Sequence, residues 1–112
     1  MGTLDTQVNN FIIDITQLSY IHEGKEAVLD QFDAVVIPLI YKYNGVLIFR
    51  CSQGKDAFIE GPEQPYEIHL VSFPTEEEFE AFRRDEERRN FLHLKEEAIK
   101  SVMMIIIGYP LS

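Results

Sequence analysis

Tyr66-Glu67-Ile68-His69-Leu70-Val71-Ser72-Phe73-Pro74-Thr75-Glu76-Glu77-Glu78-Phe79 is a strand, a stop and a helix start in one stretch. Ile68, Leu70 and Val71 favour a pleated, half-buried surface. Pro74 ends the strand, because its ring cannot donate to a ladder. Thr75 followed by Glu78 is the Ser/Thr-x-x-Glu box that caps a helix N-terminus. The acidic residues in the first turn suit the positive end of the helix dipole.

Working upstream, Gly61-Pro62-Glu63-Gln64-Pro65 reads as a rigid loop and Gln53-Gly54-Lys55-Asp56 as a turn. Val46 to Cys51 is a second strand, with Leu47, Phe49 and Cys51 on one face and Val46, Ile48 and Arg50 on the other. A long amphipathic helix spans Lys25 to Tyr43, its stripe running through Val28, Phe32, Val35, Val36, Leu39, Ile40 and Tyr43. Pro38 inside it predicts a kink rather than a break. Asn44-Gly45 supplies the positive φ a helix end requires. Phe11 to Thr16 is the first strand. Its face of Phe11, Ile13 and Ile15 is wholly apolar and is expected to meet the helices.

Downstream, helix is expected from Glu76 to about Lys100. The run Arg83-Arg84-Asp85-Glu86-Glu87-Arg88-Arg89-Asn90 has little to bury, so it predicts a solvated bend or a break between two shorter helices. Val102 to Ile107 is a last strand, closed by Gly108 and Pro110.

The order β-α-β-β-α-β is that of two split βαβ units. It predicts a ferredoxin-like α+β fold with an antiparallel sheet in the order 4-1-3-2 and helices on one face. The 112 residues make one domain, with residues 1–8 expected to be loosely held. A formal charge of -9 argues against nucleic acid and against anionic membranes as partners. The longest apolar run is too short to span a bilayer, and no secretory signal is visible. A single cysteine, Cys51, excludes an internal disulfide and points to the cytoplasm. On the face turned from the helices the strand parities place Ile12, Val46, Ile48, Val71 and Phe73. A second copy is expected to cover so apolar a surface, giving a dimeric α+β barrel.

Several pieces, in order, resemble a family of small proteins of unknown function in the dimeric α+β barrel superfamily. They are Val36-Ile37-Pro38-Leu39, Tyr43-Asn44-Gly45 with Arg50 beyond it, Glu60-Gly61, Phe73-Pro74-Thr75-Glu76-Glu77, Phe82 with Asp85, and Leu94-Lys95-Glu96-Glu97-Ala98. The resemblance implies that fold and a homodimer. The chain departs from the family pattern at Asn44, Ser72, Arg88 and Lys95. The likeness to barrel monooxygenases is one of fold only.

The same parities place Asp14, Arg50, Glu67 and His69 on the face away from the helices. In an apolar cleft, Arg50 would anchor a carboxylate through its planar fork. His69 would transfer protons, with Asp14 orienting it. Glu67 and Tyr43 are further candidates for ligand contact. A self-satisfied ion-pair network explains the same residues without chemistry. Three scattered histidines lack metal-ligand spacing, no cofactor motif is present, and Cys51 reads as an inert buried thiol. Three functions fit: a homodimeric protein binding a small acidic ligand, a cofactor-independent enzyme, or a structural interaction module.

Overall fold

A computed structural model describes residues 11–52 and 63–110. The expected looseness of residues 1–8, the Gln53–Asp56 turn and Glu60-Gly61 lie outside the described residues. The elements are β1 (Phe11–Ile21), α1 (Glu26–Lys42), β2 (Val46–Ser52), β3 (Glu67–Phe73), α2 (Glu76–Arg83), α3 (Glu86–Asn90), α4 (Leu92–Ala98) and β4 (Ile99–Pro110). The sheet runs β2-β3-β1-β4 with every pair antiparallel, which is the expected ferredoxin-like order. The outer strand β4 is longer than its apolar run suggested. The second helical region breaks into three short helices rather than two.

The local signals act as written. Thr75 Oγ1 accepts from the Glu78 N–H at 3.1 Å, and its hydroxyl donates to Glu78 Oε1. Asn44 takes φ 63°, and the Gly45 N–H closes the helix end onto the Ile40 carbonyl at 2.8 Å. Gly45 is required for space. A Cβ there would lie 2.7 Å from Phe73 Cε1 and 2.9 Å from the Ile40 carbonyl oxygen. Helix α1 continues through Pro38, which faces solvent.

The core lies between the sheet and the helices. One cluster gathers Ile13, Ile15, Ile40, Val71, Phe73 and Phe79; a second gathers Leu29, Phe32, Val36 and Ala98. This corrects the predicted facing of β3. Ile13 stands opposite Phe73, Ile15 opposite Val71 and Gln17 opposite His69. Phe73, Val71, His69 and Glu67 therefore share the helix-covered side with Ile13 and Ile15. Both faces of β3 carry large apolar side chains, so alternation alone could not say which was inside.

Strand β2 needed a second correction. Its register slips between Leu47 and Phe49, which stand opposite the consecutive residues Val71 and Leu70. Ile48 is the extra residue of a β-bulge. The bulge reverses the parity after it. Leu47 and Arg50 face the helices, while Phe49 and a half-buried Cys51 face outward.

Asp85 ties the ends of two helices together. Its carboxylate accepts from the Tyr43 hydroxyl at 2.5 Å, from Lys42 Nζ at 3.1 Å and from the Arg88 N–H at 3.1 Å, the last as N-cap of α3. The Tyr43 bond above all holds the carboxyl down at about 2, against the effect of burial. Asp85→Ala should cost about 2 kcal/mol, from a lost cap and the lost charge-assisted hydrogen bonds of Tyr43 and Lys42. The folded pKa lies below the unfolded value of about 3.9. The stabilisation is then complete above that value and lost as pH falls through about 2. Urea unfolding of both proteins from pH 6 to pH 2 checks this: their midpoints should converge only at the acid end.

Candidate functional site

The polar cluster grows from three elements. Glu67 and His69 project from β3 toward α1, two residues apart on one face. Beyond its bulge β2 brings Arg50 opposite His69 and Ser52 opposite Glu67. Helix α1 supplies Asp33, which occupies the buried stripe with Leu29, Val36 and Ile40.

Arg50 Nε donates to Glu67 Oε2 at 3.0 Å and a terminal Arg50 nitrogen to Asp33 Oδ2 at 3.3 Å. Ser52 Oγ donates to the same Glu67 oxygen. Glu67 is 1% exposed and Asp33 3%, whereas the Arg50 side chain is 38% exposed. His69 Nε2 lies 3.0 Å from Glu67 Oε1, but out of line for a hydrogen bond, so each of these buried atoms is left without a hydrogen-bond partner.

Burial, and then the neighbouring Glu67, push the Asp33 carboxyl up to about 9. Burial acts the same way on Glu67, but His69, Asp33 and Arg50 around it prevail and hold its carboxyl down at about 2. At neutral pH the pair thus shares one proton, and Arg50 balances the remaining charge.

A cavity of about 190 Å³ adjoins this cluster on the helix-covered side. Asp33 and His69 lie on its wall, with Phe32, Val71, Phe79 and Phe82 among its apolar lining. That is the size of an engineered cavity that takes up a benzene-sized molecule. Arg83, Arg88 and Lys95 also line it. Lys95 has no ion pair among the described residues. Arg88 donates to the Arg83 carbonyl and stacks on Phe82. Burial and mutual repulsion lower both: Arg88 by burial and then Arg83, Lys95 by burial and then Arg88 and Arg83.

The sequence-predicted residues therefore divide. Arg50, Glu67 and His69 converge, but under the helices rather than on the opposite face. Asp14 stands opposite Ser72 and Ile107, on the outer face, and does not join them. Tyr43 is committed to Asp85. His22 and His93 are exposed. Asp33 was missed, although an acid at helical spacing within the stripe Leu29, Val36, Ile40 marks it. Arg88 and Lys95 looked like part of a solvated face or mere departures from a pattern. Their place on the cavity wall depends on how the three short helices fold back over the sheet.

The outer face is bare. Val46, Ile48 and Phe49 of β2 and Met103, Ile105 and Ile107 of β4 are exposed, Ile48 by 55% and Ile105 by 48%. Among the described residues no helix is long and apolar enough to cross a membrane.

Residues 17–109 match a family described as a domain of unknown function (DUF1330). Among solved structures, a protein of unknown function from Rhodopseudomonas palustris is 12% identical with a TM-score of 0.74, over 99% of this chain and 92% of its own. A Dabb family protein with a ferredoxin-like fold from Mesorhizobium loti is 12% identical, with a TM-score of 0.63 over 91% and 99% of the two chains. A dimeric protein of unknown function and ferredoxin-like fold from Bacteroides fragilis is 11% identical, with a TM-score of 0.63 over 88% and 96%. At such identities the likeness is one of fold. No curated protein matches the chain.

Proposed function

This chain belongs to the family described as a domain of unknown function (DUF1330), and on that premise we propose that it is a homodimeric protein binding a small organic anion between its sheet and its helices. One observation carries the reading. Arg83, Arg88 and Lys95 meet at the wall of an apolar cavity with no carboxylate set against Arg88 or Lys95 among the described residues. Cations that repel one another in a partly dry site favour an anion strongly, because its charge offsets both their repulsion and their lost hydration. The apolar wall then selects a compact hydrophobic body. Arg50, the anchor expected from sequence, is engaged by Asp33 and Glu67, so the anion's place is at the cationic wall.

Benzoate and its neutral isostere benzamide test this. Benzoate should bind and raise the melting temperature as ligand linkage requires, and benzamide should not. In Arg88→Glu/Lys95→Glu, benzoate binding should fall at least tenfold, which corresponds to a loss of about 1.4 kcal/mol. Equal binding of acid and amide, or no effect of the double variant, would overturn the reading.

The bare outer face supports the homodimer, since exposed apolar surface of this kind marks an interface. The Bacteroides fragilis protein of like fold, described as dimeric, supports it too. Light scattering should give twice the chain mass for the wild type, and Ile105→Asp should yield monomer or insoluble protein. A well-folded wild-type monomer at micromolar concentration would refute it. The single cysteine is consistent with a cytoplasmic place.

Asp33 and His69 on the cavity wall favour one further reading, a cofactor-independent enzyme that moves a proton on the bound acid. Deuterium exchange at the carbon next to the carboxylate of a bound acid, abolished in His69→Gln, would distinguish it from simple binding.

A further inference from the structure

The cluster on β3 and α1 holds more than an ion-pair network needs. Arg50 engages Glu67 through Oε2 and Asp33 through Oδ2. Glu67 Oε1 points instead at His69 Nε2, and both atoms are buried with no hydrogen-bond partner. Glu67 is 1% exposed, so nothing outside the cluster relieves its oxygen. Burying two such atoms without a hydrogen bond is costly unless a third partner touches both.

Their separation, ordinary for an ion pair, also suits two ligands of one ion. Oε1 and Nε2 are 3.0 Å apart and misaligned as donor and acceptor. Two ligands each about 2.1 Å from one ion stand about 3.0 Å apart at an octahedral right angle and about 3.4 Å apart at a tetrahedral angle. Asp33 offers a third ligand atom, all three lying within 4.8 Å of one another.

We propose that Asp33, Glu67 and His69 bind one divalent first-row transition-metal ion, with Arg50 holding both carboxylates from outside. One imidazole and two carboxylates suit zinc, iron or manganese, and the absence of a thiolate argues against soft ions such as copper(I). Arg50 plays the part of an outer partner that orients ligating carboxylates, holding Glu67 through the oxygen that does not face His69. Asp33 and His69 border the cavity. The ion's remaining positions would therefore open onto it, as in sites where a metal meets a small molecule. The proposal rests on the cluster alone and stands whether or not the cationic wall binds an anion.

The test uses the full chain with zinc and cobalt(II) as probes. After equilibration with zinc and dialysis, the wild type should retain about one ion per chain, and cobalt(II) should give visible d–d bands. Glu67→Gln and His69→Gln, which keep shape and lose a ligand, should each weaken zinc at least tenfold and remove the bands. His93→Gln, at an exposed histidine, should leave binding unchanged. Circular dichroism identifies any variant that fails to fold, and the remaining ligand variant then decides. Absence of retained zinc, or retention unaltered by either ligand variant, would overturn the proposal, the second outcome assigning the ion to the acidic surface.

Discussion

Arg50→Ala should lower the folding free energy by about 3 kcal/mol, because it leaves a buried carboxylate without its counter-charge. Glu67 is 1% exposed and accepts from Arg50 at 3.0 Å, with Asp33 held by the same guanidinium at 3.3 Å. The guanidinium is itself 38% exposed, so part of the lost attraction is replaced by water and the effect falls at the lower end of the range for broken buried pairs. The charge mechanism has its own check. Glu67→Gln placed in the Arg50→Ala protein removes the stranded charge and should restore more than half of the loss. If instead the two substitutions simply add, the cost lies in packing of the arginine stem and not in electrostatics. Urea unfolding of the four proteins of the cycle gives both numbers.

Phe73→Ala is the second large effect, with an expected cost of roughly 3 to 5 kcal/mol. Phe73 is 1% exposed, and its ring meets Phe79 at 5.5 Å and Phe82 at 5.2 Å between centroids. It also closes over Gly45, where an added Cβ would come within 2.7 Å of the ring. Removing the ring leaves a void beside an existing cavity and loosens the strand-to-helix corner at Pro74. Gly45→Ala should be severe alone, and milder once Phe73 is alanine. Relief should still be incomplete, because the Ile40 carbonyl oxygen remains 2.9 Å from the new carbon. A Phe73→Ala protein within 1 kcal/mol of wild type would show that the core collapses to fill the gap.

These expectations separate what can be read locally from what cannot. The capping box at Thr75, the helix end at Asn44, the stripe of α1 and the break near Arg84 are each written in a few adjacent residues. Such signals set element type and order, and the order alone restricts the sheet to β2-β3-β1-β4. Three members of the polar cluster were also legible, because Arg50, Glu67 and His69 are polar positions in otherwise apolar strands.

Which face those residues occupy was not legible. Strand β3 carries Ile68 and Leu70 on one side and Val71 and Phe73 on the other, so its alternation is apolar in both directions. Only pairing with β1 decides, by setting Phe73 opposite Ile13 and Ser72 opposite Asp14. The bulge at Ile48 added a parity change that no local residue announces. Asp14 was thereby separated from His69, and Arg50 was brought beneath the helices. Asp33 and the cationic wall depend on contacts between elements far apart in the chain. By itself the sequence determined the elements, their order and the α+β class, because these follow from backbone preferences over a few residues. The tertiary structure decided the side of the sheet, the members of the site and the cavity beside it, because a one-residue change of register moves every side chain to the opposite face.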